Sequence, residues 1–186
     1  MNRCSWVNLN NPLYIKYHDE EWGVPSYKDS HLFEMLILES FQAGLSWECI
    51  LNKREAFQEA YDKFDIEKVS MYDEQKIEEL LKNKNIVRNK LKINASITNA
   101  KIFRKIQEEY GSFSNYIWSF TDNKVLINKE GRITSNELSD KISKDLQKRG
   151  MKFVGTTIIY SYLQAIGIIW DHDRECDCQK KREGRK

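Results

Sequence analysis

The chain has 186 residues, 40% of them hydrophobic and 31% charged, a mixture that suits a soluble globular protein with one good-sized domain or two small lobes sharing a core. It holds no apolar run long enough to cross a bilayer, and Met1-Asn2-Arg3-Cys4-Ser5-Trp6 lacks the apolar core of a signal peptide, so the expected location is cytoplasmic. The net charge of +2 excludes no class of partner, and four cysteines in a reducing compartment point to metal ligands or free thiols instead of a disulfide framework.

Residues 1–27 read as irregular and aromatic-rich, with Pro12 opening a short helix through His18. Asp29 or Ser30 is positioned to cap a helix ended by Gly44, and Ser46 to cap the next, from Trp47 to about Tyr61. Asp65 and Asp73 head two more helices, and a longer one runs from about Val87 to Tyr110 before Gly111. Ser114 starts a short helix through Trp118. Thr121–Thr134 reads as the least ordered internal stretch; Val125, Leu126 and Ile127 suit a short extended piece with no evident partner. Ser135 then caps a helix to Arg149, and a strongly apolar helix runs from Thr156 to about Trp170. The predicted class is all-α, with roughly eight to ten short helices. Gln179–Lys186 is a charged tail expected to be frayed.

Glu39 to Trp47 is the most informative stretch. In a helix, Glu39 falls in register with Leu32, Met35 and Leu36, which places a carboxylate on an apolar stripe. Such an acid is costly unless paired or used. Three readings stand at this point: an acid paired with Arg or Lys in the core, a stripe edge open to water, or the wall of a pocket flanked by Gly44, Leu45 and Trp47. Two basic segments, Lys82 to Lys92 and Lys144 to Lys152, taken alone read as solvated helix faces ahead of nucleic-acid contacts.

Leu146 to Thr157 reads as helix, hairpin, helix. Gly155 precedes a helix N-terminus whose free N–H groups suit an anion, with Lys148, Arg149 and Lys152 beside it. That combination fits a DNA phosphate contacted without regard to sequence, and a plain helix turn is the alternative. At the ends, Cys4 and His18 lie near the start, and His172 and Cys176 at i and i+4 near the close. Two Cys and two His form the ligand set of a closed tetrahedral zinc site, against the alternative of two unrelated pairs, with Cys178 as a competing ligand.

Taken together, Arg3-Cys4-x-Trp6, Pro12 to Gly23, Leu38-Glu39-x-x-Gln42-Ala43-Gly44-Leu45-Ser46-Trp47, Lys152 to Thr157 and His172-x-x-x-Cys176 resemble the 3-methyladenine DNA glycosylase I family of the helix-hairpin-helix DNA glycosylase superfamily. The resemblance implies a helix-hairpin-helix glycosylase core whose N- and C-terminal segments are joined by one structural zinc on Cys4, His18, His172 and Cys176. It implies a single domain over 1–178, with a helical lobe at about 30–120, a lobe formed by both termini, a helix-hairpin-helix at about 136–170, and the tail 179–186.

The implied activity is monofunctional hydrolysis of the N-glycosidic bond of 3-methyladenine in double-stranded alkylated DNA by base flipping, with the free base as product and the protein a monomer. Glu39 matches the family's base-recognition acid, and Tyr17 and Trp47 its stacking residues. Tyr14 and Trp6 are further aromatic candidates for a cationic purine. Leu45, after Gly44, suits a wedge into the duplex, with Gln42 beside it. Lys152, Gly155 and Thr156 are the implied hairpin contacts. Thr156-Thr157 stand where bifunctional members carry a Schiff-base lysine, so no lyase activity is expected. Neither Asp171 nor Asp173 takes an assigned role. A non-catalytic DNA-binding module and a zinc hydrolase are the competing functions, the second disfavoured by four protein ligands.

Overall fold

The computed structural model describes residues 1–183. Helix α1 (Pro12–Glu20) opens on Pro12, and the Asn11 side chain accepts from the Leu13 and Tyr14 N–H groups. Helix α2 (Asp29–Gln42) is the central element, buried almost without a break from Leu32 to Phe41. A helix apolar on all sides must be surrounded. Four helices cover it: α3 (Trp47–Leu51), α7 (Lys90–Tyr110), α8 (Phe113–Ser119) and α10 (Thr156–Ala165). Between α3 and α7 lie α4 (Arg54–Ala60), a left-handed turn at Asp62–Phe64, α5 (Ile66–Ser70) and α6 (Glu74–Lys82). Asp65 and Asp73 cap α5 and α6 as expected.

Several boundaries differ for local reasons. Asp29 does not cap its own helix; its carboxylate accepts from the N–H groups of Phe113 (2.9 Å) and Ser114 (2.8 Å), tying α2 to the start of α8. Ser112, not Ser114, is the side-chain cap of α8. The expected helix from Trp47 to Tyr61 breaks at Asn52–Lys53 into α3 and α4. Asn136 caps α9 (Glu137–Lys148) through a reciprocal capping box with Ser139, displacing Ser135 from that task.

The chain is mostly helical, as expected, with one short exception among the described residues. The extended piece near residue 126 has a partner: β1 (Leu126–Ile127) pairs in parallel with β2 (Ile169–Trp170), Leu126 opposite Ile169. Helix α10 therefore stops at Ala165, well before Trp170. Gly167 makes the turn between them at φ +77°, and a Cβ there would lie 2.4 Å from the backbone of Val24 and Pro25. Residues 23–26 lie against this turn, with Gly23 N–H to Gln164 O and Ser26 N–H to Ile166 O both at 3.0 Å. Most of the tail expected to fray is helical, as α11 (Asp177–Glu183), while residues 184–186 of that tail lie outside the described residues. No described helix is long and apolar enough to cross a membrane.

Candidate active site

Glu39 sits in the last turn of α2 at the back of a cleft of about 660 Å³, which Trp6, Tyr14, Tyr17, Trp47 and Gln42 also line. Five of these six positions form one aromatic-and-acid group. Trp6 packs on Tyr14 with ring centres 5.4 Å apart, and Tyr17 tilts at 45° against Trp47 at 5.3 Å. Glu39 is 4% exposed, and among the described residues no cation or hydrogen-bond donor reaches its carboxyl. Burial alone pushes its pKa up to about 8. Burial likewise raises Tyr14 to about 12 and Tyr17 well above its ordinary range, with the Glu39 charge adding to both. Among the described residues, the core ion pair that the sequence left open is absent. The Trp47 indole N–H is buried without a partner as well.

The turn that follows α2 is tightly specified. Leu45 N–H bonds Gln42 O at 2.7 Å, and Gly44 at φ +78° supplies the left-handed residue such a turn needs after Ala43. The Gln42 side chain closes it by donating to Leu45 O at 2.9 Å. Leu45 projects from the tip, 39% exposed. Ser46 then caps α3, accepting from Cys49 N–H at 3.2 Å.

The hairpin joins α9 to α10. Gly155 is the N-cap of α10, and the space where a Cβ would stand is open. The Thr156 hydroxyl is engaged with Ser139 at 2.8 Å, and the Lys152 side chain is exposed. Arg149 is not a free cation: Asp145 and Glu109 hold its guanidinium at 2.8 and 2.6 Å. Lys92, counted in the other basic segment, is buried.

The termini meet as the Cys and His spacing suggested. Cys4, His18, His172 and Cys176 are all buried, with one ligand atom of each within 4.8 Å of the others. Cys4 Sγ lies 3.4 Å from His172 Nδ1, and Cys176 Sγ lies 3.5 Å from both His18 Nε2 and His172 Nδ1. Ligands on one tetrahedral ion with bonds of about 2.0–2.3 Å stand about 3.5 Å apart, so the set fits a metal ion. Asp19 holds His18 Nδ1 at 2.8 Å, turning Nε2 toward the cluster, and Arg3 holds Asp19 in turn. Burial raises the Cys4 thiol and lowers His172 to about 4. Cys178 forms a second grouping with His18 and Asp19.

Comparison with known proteins agrees with this arrangement over nearly the whole chain. The methyladenine glycosylase family model matches residues 6–180. The chain belongs to the methyladenine glycosylase family. DNA-3-methyladenine glycosylase 1 of Escherichia coli is 43% identical, the match covering 96% of this chain and 97% of that protein. The Haemophilus influenzae DNA-3-methyladenine glycosylase is 38% identical over 95% and 97%. A solved 3-methyladenine DNA glycosylase I superposes with a TM-score of 0.91 at 44% identity, covering 95% of this chain and 99% of that one. The Staphylococcus aureus enzyme, in a structure described as the basis of 3-methyladenine recognition, gives 0.91 at 38% identity over 96% and 97%.

Within this methyladenine glycosylase the cleft has a second wall that the sequence reading missed. Thr157, Tyr160, Ser161 and Gln164 line it from α10. Their spacing of i, i+3, i+4 and i+7 is a polar stripe on an otherwise apolar helix, a signal that was available. Asp171 also lines the cleft, accepting from Asn128 (2.6 Å), Gln164 (2.5 Å) and Tyr160 (3.2 Å), and burial raises its pKa. Asp173 is occupied by Ser5 N–H at 2.7 Å and the Ser5 hydroxyl at 2.6 Å. The loop 128–134, within the stretch expected to be the least ordered, completes the rim because β1 anchors its start on β2.

Proposed function

We infer that the protein is a DNA glycosylase that hydrolyses the N-glycosidic bond of 3-methyladenine in alkylated DNA. The observation that carries this reading is Glu39: a buried carboxyl at the back of an aromatic cleft, with no cationic partner among the described residues. Alkylation at N3 leaves the purine cationic. Such a base, extruded from the stack, supplies the charge the cleft lacks, and its faces meet Tyr17 and Trp47. Glu39 loses its proton as the cation arrives and accepts hydrogen bonds from the polar edge of the base. Tyr14 and Trp6 extend the aromatic wall.

The C1′–N9 bond breaks with its electron pair going to the base, which leaves neutral. Water adds to C1′ and releases one proton. Departure of a neutral base from a cation demands little help at the sugar, so Glu39 acts mainly by binding the base. Thr156 and Thr157 offer no amine for a Schiff base, which supports a monofunctional reaction.

In this reading Leu45 fills the gap left in the duplex, presented by the Gly44 turn that Gln42 closes. The N–H groups of α10 beside Gly155 and Thr156, with Lys152, face a phosphate. The four buried Cys and His ligands suit one zinc ion. Bound there, zinc would supply a cross-link between the chain ends; four protein ligands leave no position for substrate. The test is incubation of folded, metal-loaded protein with methylated duplex DNA. Release of free 3-methyladenine is expected, and its absence overturns the reading.

A further inference from the structure

Two buried polar side chains on one face of α7 take no part in the cleft. Lys92 is 8% exposed, and its ammonium donates to the carbonyls of Phe41 (2.8 Å) and Ala43 (2.5 Å) where α2 ends. It also lies 5.9 Å from the centre of the Phe153 ring in the hairpin. Asn99, 0% exposed, accepts from Lys152 N–H at 2.8 Å and donates to Lys152 O at 2.9 Å. An amide that takes both backbone groups of one residue fixes the orientation of that residue as well as its position. Positions i and i+7 lie on the same side of a helix. One rigid helix therefore grips the turn that presents Leu45 and the loop that precedes Gly155. Stability alone gives little reason for the pair, because burying an ammonium and an amide is costly unless their particular partners are needed.

We propose that Lys92 and Asn99 are positioning residues that set the spacing between the wedge turn and the hairpin, so that both meet the duplex at once. This rests on the reading that Leu45 enters the duplex and the hairpin faces the backbone. Two contacts held at a fixed spacing bind as one preorganised surface; two loose contacts each lose entropy on binding. Neither Lys92 nor Asn99 lines the base cleft.

The experiment uses the full metal-loaded chain with Lys92→Met, Asn99→Asp and Leu45→Ala, each at a temperature where circular dichroism shows it folded. Asn99→Asp keeps the acceptor for Lys152 N–H and puts a carboxyl oxygen in place of the donor to Lys152 O, so it carries the test if Lys92→Met does not fold. Free 3-methyladenine is titrated by tryptophan fluorescence, and kcat/KM is measured on methylated duplex DNA. The expected result is unchanged affinity for the free base with kcat/KM lowered about tenfold, in keeping with the loss of one charged or buried hydrogen-bonded anchor. Unchanged kcat/KM in the folded Lys92 and Asn99 variants, alongside a loss in Leu45→Ala, overturns the brace alone. Free-base affinity falling in step with kcat/KM makes the pair merely structural and also overturns it. If Leu45→Ala itself excises normally, the wedge reading fails and takes the brace with it.

Discussion

Replacing Glu39 by its isosteric amide removes the charge and keeps the shape, so it isolates what the carboxyl does. Glu39→Gln cannot balance a cationic base, and we expect excision to fall by about 10²-fold or more while duplex binding persists, as gel retardation and product release together would record. Wild-type excision by this variant sinks the pocket assignment. The same substitution tests the protonation state. Burial pushes the carboxyl up to about 8 in the folded protein from an ordinary 4.5, so the folded state holds the proton more tightly than the unfolded one. Its contribution to stability is full below about pH 4.5, shrinks as the pH rises, and is lost above about 8. Urea unfolding at about pH 5 and pH 9 should therefore show wild type losing stability relative to Glu39→Gln, by several kcal/mol at most. A pH-independent difference means that the acid is ionised in the empty cleft.

At the scale of elements, Gly167 is the test of how the cleft wall is assembled. The turn after α10 brings backbone within 2.4 Å of where a Cβ would stand, at a positive φ. Gly167→Ala should cost about 2–4 kcal/mol in chemical denaturation, through overpacking and backbone strain together; a loss below about 1 kcal/mol would mean that segment 23–26 yields easily. This close approach was invisible in the sequence, since neither contact partner is near residue 167. The same limit explains the misplaced boundaries. A cap can be read from spacing when donor and acceptor are neighbours, as at Asp65 and Asp73. It is misread when the acceptor serves another helix, as Asp29 serves α8. The pairing of Leu126–Ile127 with Ile169–Trp170 had no local signal. Glu39 was legible because an acid on an apolar stripe is a local contradiction, and the Cys and His ends because few residue types bind metals. Lys92 and Asn99 were hidden: one looked like part of a basic run, the other like an ordinary polar residue on a long helix.

Across the whole molecule, the Cys and His cluster joins residues 4 and 18 to residues 172 and 176, and the cleft is built partly on that junction. Tyr17 precedes His18 in α1, and Trp22 packs against His172 with ring centres 4.7 Å apart. Other bonds also tie the ends: Asn2 N–H donates to the Asp177 carboxylate and Asp177 N–H to Asn2 O, both at 2.9 Å. A structural ion there would add a cross-link, and its removal would destabilise the fold without forbidding it. Metal analysis should find one zinc per chain. Chelation should lower Tm by several degrees or more. Because Trp6, Tyr17 and Trp22 all line the cleft, excision and the tryptophan fluorescence signal should decline together as the metal leaves. A catalytic ion behaves differently: activity would vanish while fluorescence and Tm stayed at their metal-loaded values. That outcome would overturn the structural assignment, and parallel loss with recovery of both signals on adding zinc would uphold it.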